Sequence, residues 1–182
     1  MPLGGEHMKN VLIAVIGNTG NEPEAIRQTL EYFDCLVMTI YIGRPNDFID
    51  VLDEKFPFDA DTVILSCHGE DGRILMPVLG DDIYLQDEPR GHFGVEEIGK
   101  WLTMRDKTII NLGCTTGNEK MAGIFSKQNI YIAPDDYVEA RSALFFLIHL
   151  FYEIMQNGVT LREAYEKARN TDEETRLFRF FS

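Results

Sequence analysis

The chain has 182 residues, 45% of them hydrophobic and 26% charged, the make-up of an ordinary globular protein with room for one sizeable core. Its 30 acidic residues outnumber 17 basic ones and leave a formal charge of −13, which argues against nucleic acid and anionic membrane surfaces as partners. No apolar run reaches the roughly 18 residues needed to cross a bilayer.

Three cysteines, Cys35, Cys67 and Cys114, are too few and too odd in number for a secreted disulfide framework. A reducing, cytoplasmic setting with free thiols is expected. The N-terminus shows no basic region followed by an apolar block and cleavage site. Met1 to His7 (MPLGGEH) reads as an appended or disordered tail, and residues 8–182 as one domain.

Asn10 to Ile16 (NVLIAVI) is a near-continuous β-rich run, as expected of a strand covered on both faces. Gly17-Asn18-Thr19-Gly20 lacks the spacing of a nucleotide-binding loop and reads as a turn. Pro23 to Phe33 is a helix, with Ala25, Ile26, Leu30 and Phe33 on one side. Leu36 to Ile42 is a second strand, Asn46 to Leu52 a short helix behind Pro45, and Thr62 to Cys67 a third strand running into His68-Gly69. Arg73 to Leu79 and Asp82 to Leu85 read as a hairpin across Gly80-Asp81, followed by an irregular loop, Asp87 to Gly94.

Val95 to Leu102 is a helix with Ile98, Trp101 and Leu102 inward. Thr108 to Leu112 is a fourth strand ending at Gly113-Cys114. Asn118 to Phe125 is a helix and Ile130 to Ala133 a fifth strand. A long helix follows from Val138 to Gln156, closed by Asn157-Gly158. Its Leu144, Leu147, Ile148, Phe151 and Met155 recur at helical spacing and are expected to pack on the sheet. Thr160 and Glu163 form a capping box for a last helix to Arg169, with Leu161, Ala164, Tyr165 and Ala168 inward.

Strands alternating with helices imply right-handed crossovers and an α/β fold with a mostly parallel sheet. Ligands of such sheets sit outside the carboxyl ends of the strands. His68 and Cys114 both fall just past such ends, in VILSCHG (Val63 to Gly69) and TIINLGCTTG (Thr108 to Gly117). A thiolate nucleophile with an imidazole to manage the proton is the chemistry of a cysteine peptidase. The N–H groups of Gly69 and Cys114 are candidates for the oxyanion hole, and Gly69 permits close approach of the backbone.

These residues carry a resemblance. An apolar block ending in His-Gly, followed by one ending in Cys, resembles the caspase-like cysteine peptidases. SCHG, GCTTG, the intervening VEEIGKWL and the closing FYEIMQNGVTLREAYEKAR (Phe151 to Arg169) are most similar to the bacterial CHAT-domain group. The resemblance implies a caspase-like three-layer sandwich, a His68–Cys114 dyad, no cofactor and no metal. It implies a peptide or protein substrate and admits a regulatory protein partner; it assigns no oligomeric state. In relatives, acidic residues after the fifth strand help to form a pocket for Arg or Lys, which makes Asp135, Asp136 and Glu139 the corresponding residues here. Two departures bear on specificity. Asn111-Leu112-Gly113 stands where caspases have QA before the cysteine, and APDDYVEA (Ala133 to Ala140) replaces the tryptophan-containing segment of CHAT domains.

Blander readings stand beside these. A cysteine after a strand is commonly structural, and Cys67, which alternates away from His68, reads as core. Zinc held by Cys67, His68, His92 and Cys114 has no CxxC or HxxxH spacing behind it. His92 reads as a solvated loop residue and His149 as a hydrogen-bonded core residue. Glu70 and Asp71 line the cleft or simply face water, and the acidic run at Asp135 equally suits a solvated helix start. The alternative functions are a catalytically inert protein-interaction module on the same fold, and a different thiol hydrolase or small-ligand-binding domain.

Overall fold

The computed structural model describes residues 8–182; the expected tail, Met1 to His7, lies outside the described residues. In chain order the elements are β1 (Asn10–Ile16), α1 (Glu22–Tyr32), β2 (Leu36–Ile42), α2 (Pro45–Leu52) and β3 (Thr62–Cys67). A two-stranded ribbon of β4 (Gly69–Glu70) and β5 (Arg73–Ile74) follows, then α3 (Val95–Trp101), β6 (Thr108–Asn111) and α4 (Glu119–Phe125). β7 (Ile130–Pro134), α5 (Ala140–Met155), α6 (Leu161–Arg169) and β8 (Phe178–Phe181) complete the chain.

Six strands form one sheet in the order β2-β1-β3-β6-β7-β8, parallel except for β8, which runs antiparallel to β7. Each crossover lays a helix on a face. Alternate residues of a strand point to opposite faces, so β1 feeds two cores at once. Leu12, Ala14 and Ile16 pack with Phe48, Ile98 and Phe125 under α2, α3 and α4. Val11, Ile13 and Val15 pack with Ile26, Leu30, Phe146 and Phe151 under α1, α5 and α6. The result is a three-layer α/β sandwich with a mostly parallel central sheet.

The structure differs from expectation at four points. The hairpin lies nine residues earlier than expected: β4 and β5 turn on Asp71-Gly72, both at positive φ (49° and 72°), the two-residue turn that matches strand twist. Residues 75–94 carry no such hairpin. Pro77 removes a ladder donor, and Ile74 bonds both its backbone groups to Phe93. The C-terminal strand β8 was not expected. Its FRFF run is short and pairs only with β7. The inner face of α5 is rotated: Phe146, Leu147, Leu150, Phe151 and Ile154 are fully buried, whereas Leu144, Ile148 and Met155 are half-buried at its flank. His149 shares that flank, 3.2 Å from the Thr171 hydroxyl, and is not a core residue.

Candidate active site

Because β2 goes to the edge, β1, β3 and β6 are neighbours at the centre of the sheet, and their carboxyl ends deliver three loops to one place. Two of these loops interlock through glycines. A Cβ on Gly69 would collide with the carbonyl oxygen of Cys114 and lie 2.9 Å from its nitrogen, so the His-Gly and Cys turns touch backbone to backbone. A Cβ on Gly113 would sit 2.9 Å from the Cys67 sulfur. Cys67 is thus the buried floor of the site, as its alternation implied, and burial pushes its thiol up.

The first loop supplies a partner for His68. The ring is exposed, and its Nε2 lies 2.9 Å from the Asn18 carbonyl. A carbonyl only accepts, so Nε2 donates this bond, and in the neutral ring Nδ1 carries the lone pair. Ser66, two residues before His68 and on the same side of β3, is buried and donates to Glu22 at 2.7 Å; Thr19 stands 2.8 Å from the Ser66 hydroxyl. Burial raises the Glu22 pKa, while the Ser66 hydrogen bond and the charge of His68 draw it back. Asn18 therefore contacts the imidazole, and Thr19, Ser66 and Glu22 form a hydrogen-bonded cluster whose carboxylate feels the charge of His68. Sequence reading took Asn18 and Thr19 only as part of a turn and singled out neither Glu22 nor Ser66, because only the strand order brings the β1 loop to the end of β3.

Asn111 shapes the cysteine turn. It is fully buried; its Oδ1 accepts from the Gly113 N–H at 2.9 Å, and its Nδ2 donates to the Tyr131 hydroxyl at 3.1 Å. Tyr131 in turn donates to the Thr116 carbonyl, and Thr116 closes the turn on the Gly113 carbonyl at 2.7 Å. Thr115, directly after Cys114, has φ of 63°, an uncommon conformation for a β-branched residue. Its N–H is held by the Asp136 carbonyl and its hydroxyl accepts from the Gly72 N–H at 2.9 Å. The hairpin, the cysteine turn and the segment after β7 are thereby tied together.

Two N–H groups stay uncommitted inside this frame. Gly113 and Thr115 donate to Asn111 and Asp136, but Cys114 between them has no acceptor for its N–H among the described residues. The ribbon bond runs from Leu75 N–H to the His68 carbonyl, and Ile74 faces Phe93, so Gly69 sits at a position whose N–H lies outside the ladder. The Cys114 sulfur is half-buried, 3.6 Å from the Val138 carbonyl.

The predicted pocket acids part company. Asp135 pairs with Arg179 at 3.3 Å. Glu139 begins α5 with its N–H on Glu174. Asp136 is exposed, next to Tyr137, whose phenol is raised by desolvation and then by the charges of Glu70, Asp71, Cys114 and Asp136. Glu70, Asp71 and Asp136 thus lie close enough to Tyr137 to act on its phenol, beside the cysteine turn that the Asp136 carbonyl holds. His92 is a loop residue whose Nδ1 accepts from the Met76 N–H at 3.1 Å.

No protein-family model matches the chain, and no curated protein matches it. Among solved structures, the chain is similar to the crystal structure of the Arg-specific cysteine proteinase gingipain R, with a TM-score of 0.58 at 12% identity over 96% of this chain. The match spans 45% of the gingipain chain, a little under half its length. The fold of this protein is therefore caspase-like.

Proposed function

We propose that the protein is a cysteine endopeptidase with His68 and Cys114 as its dyad. The observation that carries this reading is the backbone contact of Gly69 with Cys114, which joins the two reactive strand ends in one site. Cys114 attacks the scissile carbonyl as a thiolate, forming the C–S bond. His68, held through Nε2 by Asn18, manages the proton through Nδ1 and hands it to the departing amine. The free N–H groups of Gly69 and Cys114 receive the oxyanion. Glu22 stabilises the imidazolium by its charge. Water then cleaves the thioester and regenerates the thiol.

The carboxylates of Glu70, Asp71 and Asp136 support a basic residue before the cut. The Arg specificity of gingipain R, the structural neighbour, points the same way. Asp135 shares its carboxylate with Arg179, while Asp136 and Glu139 keep theirs free of ion pairs among the described residues, and Asp136, beside the cysteine turn, is the member of the trio we favour for this pocket. The SCHG and GCTTG blocks and the pattern from Phe151 to Arg169 support a place near the CHAT-domain group. Three free cysteines favour a reducing, cytoplasmic setting.

A diverse peptide library, with Cys114→Ala as control, tests the reading. Cleavage after Arg or Lys, lost in the variant, is expected. Cleavage strictly after aspartate would remove the pocket assignment, and no cleavage at all would favour an inert interaction module.

A further inference from the structure

In a chain so acidic, four arginines gather on one concavity whose lining does not include Cys114. It measures about 460 Å³ and is formed by α6, the turn after it and β8. Arg162 and Arg169 stand two turns apart on α6, with Tyr165 on the same face. Arg176 comes from the 3-10 turn Thr175–Leu177 and Arg179 from β8. Against these four charges the lining holds two acids, Asp135 and Glu166.

Internal hydrogen bonds use few of the guanidinium donors. Arg162 lies over the Phe180 ring, 3.6 Å from its centroid, and Arg176 makes no side-chain hydrogen bond or ion pair among the described residues. Arg169 gives one N–H to the Arg176 carbonyl, while its Nε is buried with no partner among the described residues. A buried donor without an acceptor is rare in folded proteins. Aromatic contacts restrain the planes of Arg162 and Arg169, on Phe180 and Tyr165, so little freedom is lost on binding.

We propose that this concavity binds a phosphate-bearing anion. Asp135 on Arg179 shows how a carboxylate occupies a single guanidinium. Arg162 and Arg169 approach from α6 and Arg176 from the turn after it, and the tetrahedral oxygens of a phosphoryl group accept from several directions at once, where a carboxylate offers one plane. The site is independent of the peptidase reading.

Isothermal titration of the full chain with inorganic pyrophosphate, at fixed ionic strength, tests it. Saturable one-to-one binding is expected, weakened at least about tenfold in Arg169→Gln and Arg176→Gln. Arg176 makes no internal side-chain bond among the described residues, so its variant keeps the wild-type circular dichroism and melting curve even if Arg169→Gln does not. Citrate, the carboxylate arm, should bind at least about tenfold more weakly than pyrophosphate. The proposal is overturned by unsaturable heat up to millimolar pyrophosphate, by wild-type affinity in Arg176→Gln, or by citrate binding as tightly.

Discussion

At the scale of single residues, Glu22 sits where stability and function pull in opposite directions. Burial raises its pKa above the ordinary 4.5, so ionised Glu22 is unfavourable in the folded state. Its contribution to stability is full below that ordinary value and is lost as pH rises through the folded one. Glu22→Gln should therefore raise the melting temperature at pH 7, with the gain vanishing in acid. The same change removes the negative charge beside His68. It should slow alkylation of Cys114 by iodoacetamide, and peptide cleavage, by about tenfold, a fraction of what positioned proton transfer supplies. A variant that is more stable and equally reactive would show Glu22 to be a spectator.

Gly69 makes a sharper residue-scale case. An alanine there puts a methyl group into the Cys114 backbone, and backbone cannot swing away as a side-chain tip can. Gly69→Ala should cost roughly 3 kcal/mol and abolish the rapid labelling of Cys114. Gly123, inside α4 with nothing within 4 Å of an added Cβ, is the matching control. Gly123→Ala should stabilise by about 0.5–1 kcal/mol in thermal melts, because it only restricts the unfolded chain and improves helix propensity.

At the scale of elements, the long irregular segment after β5 is held by one buried carboxylate. The Glu88 side chain is fully buried and takes Arg44 at 2.6 and 2.9 Å, together with the N–H groups of Asn46 and Leu85. Arg44 foremost, helped by those N–H groups, holds its pKa down to about 2. That stabilisation is present above the ordinary value of 4.5 and is lost as pH falls through about 2. Glu88→Gln should cost about 2 kcal/mol at pH 7, less than a pair buried on both sides because Arg44 still meets water. Melting curves of variant and wild type should converge between pH 4.5 and about 2; a constant gap across that window would mean the pair does not titrate as described.

How far these elements were legible depends on length and on locality. β1, β2, β3 and β6 are apolar runs bounded by breakers, and one-dimensional pattern suffices for them. β4 and β5 have two residues each, too short for any period, although the Asp71-Gly72 turn was the strongest hairpin signal available. His68 and Cys114 were visible because strand ends are visible. Asn18, Glu22 and Ser66 were not, since their nearness to His68 follows from β1 lying beside β3, which the chain order alone leaves open. Asn111 was noted as a departure from the caspase sequence before the cysteine, but its role in folding the turn needs Tyr131, 20 positions away.

At the scale of the whole molecule, the strand-end site is only as well placed as the layers that clamp the sheet. The α1, α5, α6 layer carries little chemistry in its core, and its cohesion is hydrophobic: Phe146 stacks on Phe178 with centroids 3.9 Å apart, and Phe151 is completely buried beside them. Phe145, adjacent in sequence to Phe146, is 47% exposed. The two faces of α5 therefore predict opposite outcomes for the same substitution. Phe151→Ala removes a buried ring and leaves a cavity, at a cost of roughly 3–5 kcal/mol, a large part of the 5–15 kcal/mol that holds a typical domain. At about 2–4 °C per kcal/mol for a chain of this size, melting should fall by roughly 6–20 °C. Phe145→Ala should stay within about 0.5 kcal/mol of wild type. Below its own melting point the Phe151 variant should label at Cys114 at the wild-type rate, because the turns around Gly69 and Asn111 are built by contacts that do not pass through α5. Wild-type stability in Phe151→Ala would show α5 to be peripheral. Slowed labelling in a folded variant would instead place α5 in the support of the thiol, through the Val138 carbonyl that receives it.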